Sequence, residues 1–483
     1  MKKNKQPSFF LSLIPIIFLV GLLFLAYQEF GSSVSSGANQ IVLLLATAIS
    51  SFLAILFCKT PWKEIEKTIC QNIFNVSSAL LMLLLIGSLS GIWMISGVIP
   101  TMIYYGIECL NANFFLCSCC IICAFVSVMI GSSWTTIATM GVALMAIGKI
   151  LGFSEGWIAG AIISGAYFGD KISPLSDTTV LASSITNTPL FSHIRYMQYT
   201  TVPTMFITLF LYLIFGYSHS TASIDSITCF TTSLKETFIL SPWLLFVPLS
   251  TIFLIIKKVP TLIILFISIL TASAFALCLQ SDLLLETAKV FGGEPSIYKG
   301  LISVLYGDTH IETNNNMLNE LISTGGMAGM LNTVWLTICA MCFGGAMQAT
   351  GMLKSISVSI LKFIKSDISL VSSTIFSGIL LNIITAEQYI SIILTGNMFK
   401  DLYKEKRLES KLLSRTIEDS VTISSVLIPW NACGMAQAAI LGVATLTYMP
   451  FCLFNLFNPL ISIIVIVIEC KIRDKKNRLR VHL

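Results

Sequence analysis

The chain contains 483 residues, of which 55% are hydrophobic and only 11% are charged, and its mean hydropathy is +0.86. Soluble globular proteins carry about 25% charged residues, so this composition excludes a water-soluble enzyme and a disordered chain. The formal net charge of +5, from 29 Lys and Arg against 24 Asp and Glu, is too small an excess to indicate a nucleic-acid partner.

The first predicted element is a membrane helix near the N-terminus. Lys2, Lys3 and Lys5 precede an apolar run over 9–27. The run is long for the core of a signal peptide, and no small-residue cleavage site follows promptly. We therefore expect a retained membrane helix rather than a cleaved signal. The amphipathic segment 61–75 is then expected to lie at the membrane interface.

Further apolar segments have the length of about 20 residues that crosses a bilayer. The predicted single spans, including the first, are 9–27, 38–58, 76–97, 198–217, 241–256, 260–280, 331–350 and 449–469. Two stretches, 113–149 and 367–399, are too long for one crossing, and we interpret them as re-entrant hairpins. Two others, 156–188 and 411–447, are interrupted by polar residues, Gly and Pro, and we interpret them as broken crossing helices.

Loop charges orient these spans, because Lys and Arg are enriched in cytoplasmic loops. Basic residues cluster in 59–67, 257–258, 354–365, 400–411 and 471–480. Segments 28–37 and 98–112 carry no Lys or Arg, and 281–330 carries only Lys289 and Lys299. This distribution predicts about ten crossings in the cell membrane, with both termini in the cytoplasm.

The order of the elements is repeated along the chain. Segment 91–99 resembles 345–353 at an offset of 254, and the hairpin tip at 131–134 meets 385–388 at the same offset. Near an offset of 249, Asp170 meets Asp419 and Ser173 meets Thr422. Since the first copy begins with a helix directed outward and the second with one directed inward, we predict an all-α polytopic membrane protein with an inverted-topology repeat. The predicted divisions are an N-terminal segment of two helices with an interfacial helix (1–69), the first repeat (70–240), linking helices and an external loop (241–330), the second repeat (331–470) and a basic cytoplasmic tail (471–483).

The most informative polar stretch interrupts the apolar segment 156–188. Asp170, Lys171 and Asp177 occur there, and Gly169 and Pro174 break the helix around them. A charge at the bilayer centre costs at least about 2.5–3.5 kcal/mol, so three charges in this place indicate a function. Carboxylates, hydroxyls and freed carbonyls are hard oxygen ligands that suit Na⁺ or H⁺. A surface loop is the alternative, but it would leave flanking helices too short to span.

Polar residues of the second broken helix and of both hairpin tips complete the predicted site. The candidate ion-binding and coupling residues are Asp170, Lys171, Ser173, Ser176, Asp177, Thr178, Ser133, Thr136, Glu387, Gln388, Asp419, Thr422 and Asn431, with Asp170 and Asp177 as Na⁺ ligands. We expect Arg415 and Glu418 at the cytoplasmic end of their helix, and His193 and Arg195 as a pair that reaches toward the interface. No cofactor is expected, and Na⁺ and H⁺ would be transported ions.

Three motifs resemble the NhaC-type Na⁺/H⁺ antiporter family. They read GDKISPLSDTT at 169–179, SGVIPTMIYYG at 96–106 and IPWNACG at 428–434, and the run from Asp170 to Thr179 is the most specific. The resemblance covers about residues 70–470 and implies an ion transporter built from inverted repeats. Two positions depart from the family pattern: SSWTT stands at 132–136 where TSWGT is frequent, and Glu387 stands where Asp is usual.

Several function classes follow from these features. The leading hypothesis is a secondary Na⁺/H⁺ antiporter, and the alternative is a Na⁺- or H⁺-coupled antiporter of organic acids of the malate/lactate type, which the resembled family also contains. An intramembrane aspartyl protease would need one Asp from each of two facing helices, whereas Asp170 and Asp177 lie on one broken helix. The repeat argues against a channel, and no ATP-binding motif indicates a primary pump. We expect no enzymatic activity and no nucleic-acid partner; the expected partners are lipid, small cations, small organic acids and a second copy of the chain in a homodimer.

Overall fold

The protein is a bundle of helices in the computed structural model. The structure describes residues 7–30, 37–109, 111–218, 224–257, 259–289, 294–309, 311, 313, 318–319, 322–361, 364 and 366–481. Within these residues, the isolated extended pairing joins Thr309 to Thr324. The predicted loop 28–37 falls mostly outside the described residues, and so do Lys258, Lys362 and Lys365 of the predicted basic loops.

The helices follow one another with short connections. Those before the central loop are α1 Phe9–Phe30, α2 Ala38–Leu53, α3 Trp62–Asn75, α4 Ser77–Ile95, α5 Val98–Cys109, α6 Phe115–Ile130, α7 Ser133–Thr136, α8 Val142–Ile150, α9 Glu155–Ile172, α10 Asp177–Ile185, α11 Leu190–Ser218, α12 Ile224–Thr237, α13 Phe246–Ile256, α14 Thr261–Leu279, α15 Ser281–Lys289 and α16 Ile297–Tyr306. Those after it are α17 Gly326–Gly329, α18 Leu331–Ala349, α19 Met352–Leu361, α20 Asp367–Thr385, α21 Gln388–Glu405, α22 Ser410–Ile417, α23 Ala432–Leu441, α24 Thr445–Tyr448 and α25 Leu453–Val481. Three π-helical turns occur in the described residues: Ala54–Cys58 extends α2, Ile137–Gly141 joins α7 to α8, and Glu418–Thr422 extends α22.

Ten helices in the described part of the chain are long and apolar enough to cross a bilayer. Seven coincide with predicted single spans, and the other three, Ala112–Ile130, Ser133–Ile150 and Asp367–Thr385, are legs of the two predicted hairpins. Phe10, Phe206 and Leu270 on the outer surface are at least 66% exposed, as side chains that face lipid should be. The chain is therefore a multi-pass helical membrane protein.

Both broken helices are confirmed, and two predicted spans are corrected. Helices α9 and α10 are separated by 173–176, and the pair Ser410–Leu427 and Ala432–Leu441 is bent by 49°. The predicted span 241–256 is too short to cross a bilayer alone: Pro242–Leu254 is long enough only together with Thr228–Thr237, and the two segments meet at 90°. Proline at the start of the second segment lacks a backbone donor and cannot continue the preceding helix.

The second correction concerns the predicted span 198–217. Helix α11 begins at Leu190, so it is longer than the apolar run and contains both His193 and Arg195. His193 is fully buried, whereas Arg195 is exposed. The prediction that both side chains reach the interface is therefore wrong for His193, because its face of the helix packs into the bundle.

Each hairpin turns through a residue in the left-handed conformation. Gly131 has φ +72° at the first tip, and Ala386 has φ +57° at the second. The next residue caps the following helix in both hairpins. The Ser132 side chain accepts a hydrogen bond from the Thr135 backbone N–H, and the Glu387 side chain accepts one from the Ile390 backbone N–H. A left-handed residue followed by a capping side chain reverses the chain within two residues and leaves the capping groups at the tip.

Equivalent hydrogen bonds define the correspondence between the two copies. Ser127 Oγ donates to the carbonyl of Ala166 at 2.6 Å, and Asn382 Nδ2 donates to the carbonyl of Val421 at 2.6 Å. Both partners are shifted by 255 positions, from 127 to 382 and from 166 to 421. Each bond ties the first leg of a hairpin to the broken helix of the same copy.

The offset of 255 corrects the predicted alignment of the copies. It pairs Gly131 with Ala386 at the tips, one position away from the predicted offset of 254. It also pairs Asp170 with Ser425, so Asp170 does not correspond to Asp419 as the offset of 249 suggested. The alignment based on residue identity failed because equivalent positions carry different residue types. The domain boundaries and the inverted orientation of the second copy stay predictions.

The inverted orientation can be tested by cysteine labelling at two exposed positions. In Glu294→Cys, the linking loop should react with a membrane-impermeant maleimide added outside intact cells. In Lys406→Cys, between the second hairpin and the second broken helix, labelling should require opened cells. The unsubstituted chain gives the background from Cys70, Cys229 and Cys278, which are exposed. Labelling of both introduced cysteines from the same side would contradict the inverted orientation.

Candidate functional site

Both hairpin tips and both helix breaks line one cavity of about 540 Å³. Its deep wall holds Ser133 from the first tip, Asp170 before the first break, and Glu387 from the second tip, all of them buried. Toward the opening, the wall is formed by exposed Asn75 and Ser78 and by the start of α14. The cavity therefore runs from the protein surface to the place where the two copies meet.

The first helix break is built by Pro174 and the serines on either side of it. Helix α9 ends at Ile172, and Ser173 adopts an extended conformation. The Ser173 hydroxyl donates to the carbonyl of Val128 at 2.8 Å and accepts from the backbone N–H of Leu175 at 3.2 Å. Ser173 thus stabilises the break and does not line the cavity, whereas Ser176 and Thr178 do.

Asp170 is held from the first hairpin tip. Ser133 donates to the same carboxylate oxygen of Asp170 from its backbone N–H at 3.1 Å and from its hydroxyl at 2.7 Å. These two bonds fix the carboxylate against the cavity wall, and Asp170 is only 7% exposed. Thr136, by contrast, donates to the carbonyl of Ser132 at 2.9 Å in the turn of its own helix, so it is a structural residue of the tip.

Asp177 reaches the cavity from the other side of the break. It is the first residue of α10 and is exposed to the cavity. An acidic side chain at this position is stabilised by the partial positive charge of the helix N-terminus. Asp170 and Asp177 therefore line the same cavity from the two sides of the break.

The second tip contributes Glu387 and Gln388 to the same cavity. Glu387 caps α21, where its carboxylate accepts from the backbone N–H of Ile390 at 2.6 Å. Gln388 Oε1 accepts from Ser425 Oγ at 3.1 Å and from Cys433 Sγ at 2.7 Å, which ties the tip to the second break.

Asn431 lies at the second break without lining the cavity. Its side chain accepts from the backbone N–H of Cys433 at 3.0 Å and donates to the carbonyl of Asn382 at 3.2 Å. It therefore caps α23 and fastens that helix to the second hairpin. The position corresponds to Ser176 at the offset of 255, where the first copy places a hydroxyl in the cavity wall.

Three further predicted site residues, in addition to Ser173, Thr136 and Asn431, lie away from the cavity. Lys171 Nζ forms an ion pair with Asp419 and donates to Asn458 Oδ1 at 2.6 Å. Asp419 also accepts from Thr200 at 3.0 Å. Thr422 is fully buried one turn after Asp419. Lys171 thus turns its side chain to the opposite side of the broken helix from Asp170, and it pairs with the second copy.

Comparison with known proteins identifies the family. The sequence profile of the Na⁺/H⁺ antiporter family matches residues 165–469. The Na⁺/H⁺ antiporter NhaC of Bacillus subtilis (strain 168) is 35% identical over 471 residues, which are 96% of this chain and 99% of that protein. This chain belongs to the Na⁺/H⁺ antiporter family. Its resemblance to NhaC-type antiporters, drawn from three motifs, is thereby confirmed.

The names of other relatives of this chain contain different substrates. The malate-2H⁺/Na⁺-lactate antiporter of Bacillus subtilis (strain 168) is 36% identical over 412 residues, 84% of this chain and 85% of that protein. The arginine/ornithine antiporter ArcD of Halobacterium salinarum is 32% identical over 466 residues, 96% of this chain and 92% of that protein. These names share exchange across a membrane, so the chain is an antiporter, and its substrates must be argued from its own cavity.

The burial of two charged residues was not predicted from the sequence. Arg415 and Glu418 were expected at a cytoplasmic helix end, but both are fully buried. They share a helix face with Asp419 and Thr422, because residues three and four apart are neighbours on a helix. That spacing, in a segment preceded and followed by apolar residues, was the signal available in the sequence.

The close approach of the first tip to the first break predicts the effect of Gly131→Ala. A Cβ at Gly131 would meet the backbone carbon of Leu175 at 2.6 Å. Gly442→Ala is the matched control, since Gly442 has φ +67° but nothing within 4 Å of the added Cβ. The control should lose only the conformational term of about 1–2 kcal/mol. Gly131→Ala should be less stable than the control, measured as the melting temperature of the detergent-purified proteins, and equal losses would contradict the packing of the tip against the break.

Proposed function

We propose that this protein is a secondary antiporter that exchanges Na⁺ for H⁺ at the carboxylates of the cavity. Na⁺ would be bound by Asp170 and Asp177, with the hydroxyls of Ser176 and Thr178 as further oxygen donors in the same wall. Hard oxygen donors are the ligands preferred by alkali and alkaline-earth cations. The names of the relatives support exchange of small ions.

The charge of the cavity is the observation that carries this proposal. Its wall contains the carboxylates of Asp170, Asp177 and Glu387, and none of the described lining residues is Lys, Arg or His. A malate or lactate anion placed there would meet three carboxylates and no positive partner, and an unpaired charge in a poorly hydrated site is expensive. The cavity therefore favours a cation over an organic acid.

Competition for the carboxylates would couple the two ions. A carboxylate attracts Na⁺ only when it is ionised, and protonation removes that charge. The carrier would then cross with either Na⁺ or H⁺ bound, which is the requirement for exchange. Ser133 would act as a positioning residue, because its two hydrogen bonds occupy one oxygen of Asp170 and direct the other.

The direction in which the cavity opens supports an inward-facing state. Its outer wall is formed by Asn75, Ser78 and the start of α14. These lie next to the basic segments 59–67 and 257–258, which the distribution of Lys and Arg places in the cytoplasm. An inverted repeat would supply the opposite state by exchanging the conformations of the two copies.

Removing the charge of either Asp170 or Asp177 should abolish coupled transport. In Asp170→Asn and Asp177→Asn, the amide preserves the shape but neither neutralises Na⁺ nor carries a proton. We expect a loss of about 100-fold in Na⁺ uptake driven by a pH gradient, the order expected when a charged partner of a bound ion is removed. The measurement is ²²Na⁺ uptake into proteoliposomes under an imposed pH gradient, with and without malate or lactate.

Asp282→Asn is the matched control for this experiment, because Asp282 is exposed and outside the cavity wall. It should transport at the wild-type rate. Exchange at the wild-type rate in both Asp170→Asn and Asp177→Asn would contradict the assignment of the ion site to this cavity. Uptake that requires malate or lactate would support the organic-acid alternative.

A shared site predicts how the apparent KM for Na⁺ depends on pH. Acidification protonates the carboxylates, so the apparent KM should rise by up to about tenfold per pH unit below the pKa of the site, with little change in the maximum rate. Glu387→Gln, on the facing tip, should weaken Na⁺ binding or shift this profile. The measurement is the Na⁺ dependence of proton flux at several pH values. A KM that does not change with pH in the wild type would mean that the two ions use separate sites.

A further inference from the structure

A second group of ionisable residues lies behind the cavity. It consists of Lys171, His193, Arg415, Glu418 and Asp419, which we call the charged cluster, and all five residues are 0% exposed. It joins the end of α9 and the start of α11 to the helix turn that follows α22. None of its members lines the cavity.

The cluster is only partly paired. Lys171 and Asp419 form an ion pair, and Arg415 Nε lies 3.7 Å from the other oxygen of Asp419. Arg415 also contacts Glu469 at 3.3 Å, and the Glu469 side chain is 37% exposed. The cluster therefore reaches the surface at one end through Glu469 and ends at Lys171 in the interior.

Glu418 is an acid of this cluster that forms no ion pair within the described part of the chain, and the Thr422 hydroxyl on its own helix turn is a polar neighbour that does not reach regular hydrogen-bond geometry. Both of its carboxylate oxygens are buried without a hydrogen-bond partner among the residues that the structure describes, and so are both ring nitrogens of His193. Buried polar atoms are hydrogen-bonded in the great majority of cases, so an exception of this kind needs an explanation. A carboxyl group that carries a proton satisfies part of this requirement, since its neutral form is far less costly to bury than the anion.

The backbone around Glu418 also departs from a regular helix. Glu418–Thr422 is a π-helical turn, and such turns occur frequently at functional sites. At the offset of 255 the first copy has Ile163 in the place of Glu418, inside the regular helix α9. The acid and the distorted turn are thus features of the second copy alone.

The cluster is linked to the cavity through two consecutive residues. Asp170 faces the cavity and Lys171 faces the cluster, at the end of the same helix. Glu418 interacts electrostatically with both Lys171 and Asp170. A cation that binds at Asp170 would therefore raise the electrostatic potential at Glu418 and favour the release of a proton there.

We propose that Glu418 is a second proton-binding site of this antiporter, separate from the cavity and emptied when Na⁺ binds at Asp170 and Asp177. The proposal rests on the proposed Na⁺/H⁺ exchange, and it adds a proton that does not compete directly for the Na⁺ ligands. The ionisable groups packed around Glu418 set its response. Lys171 and Asp170 on α9 and Asp419 on its own helix turn act on Glu418 directly. Farther along the cluster, His193 interacts with Lys171, and Tyr196, Tyr403 and Glu469 surround Arg415.

Proton release on Na⁺ binding tests this site without requiring transport. Detergent-purified protein in weak buffer would be titrated with NaCl, with choline chloride as the ionic-strength control. A pH-indicator dye would report the protons released, and ²²Na⁺ would report the Na⁺ bound. Glu418→Gln should lower the ratio of protons released to Na⁺ bound by about 0.5–1, because the number of protons bound differs between the two states. Its affinity for Na⁺ at alkaline pH should stay within about threefold of the wild type, since the cavity is unchanged.

Glu409→Gln is the matched control, because the Glu409 side chain is 69% exposed and pairs with Lys411. It should release as many protons per Na⁺ as the wild type. An unchanged ratio in Glu418→Gln would overturn the second site while leaving Na⁺/H⁺ exchange intact. A wild-type protein that neither binds Na⁺ nor releases protons would instead contradict the proposed function.

Glu418→Asp provides the same test if the glutamine variant does not fold. The shorter acid keeps a proton-binding group but changes its contacts, so the extra release should move to a different pH while the release from the cavity stays in place. A release curve that superimposes on that of the wild type would overturn the proposal.

Discussion

Every backbone group freed in the interior of this protein must be satisfied by the protein itself, because lipid offers no hydrogen bonds. Helix breaks are therefore possible only where another part of the chain reaches them. At the first break, the hydroxyl of Ser173 accepts from the backbone N–H of Leu175 and donates to the carbonyl of Val128 in the hairpin leg beside it. At the second, the backbone N–H of Ala432 donates to the carbonyl of Ala386 in the tip. Each hairpin tip packs against a helix break. This contact satisfies backbone hydrogen-bonding groups and also brings polar side chains to one cavity.

The two copies use the same geometry for different chemistry. Ser133 donates to Asp170 in the first copy, and Ser425 donates to Gln388 at the corresponding positions of the second. The contact between tip and break is thus made twice, but only one of the two carries a charge. The second copy instead places its acids at Glu387 and in the charged cluster. The two copies therefore share the contact between tip and break and differ in its charge.

The sequence was sufficient for the spans and for the first break, since hydropathy and the high cost of buried charge are local properties of the chain. It was insufficient wherever tertiary packing decides. Arg415 and Glu418 follow a basic loop, so they look like an exposed helix end, and their burial depends on α25 and α11 packing over them. The match of Asp170 to Asp419 failed for a similar reason: equivalence is carried by contacts, and these are not visible as residue identities. Lys171 was correctly predicted to lie at the first break, but its side chain points away from the cavity because it pairs with Asp419, which is distant in sequence.

The size of the cavity determines where an ion gives up its water. A volume of about 540 Å³ is far larger than a bare cation and has room for roughly 18 water molecules at about 30 Å³ each. If Na⁺ binds in this cavity as proposed, it would enter with its hydration shell past Asn75 and Ser78. It would then lose its water only at the last contact, between the hairpin tips and Asp177. Discrimination between Li⁺, Na⁺ and K⁺ would arise from the few oxygens at that contact, and the outer part of the cavity would set only the rate of arrival.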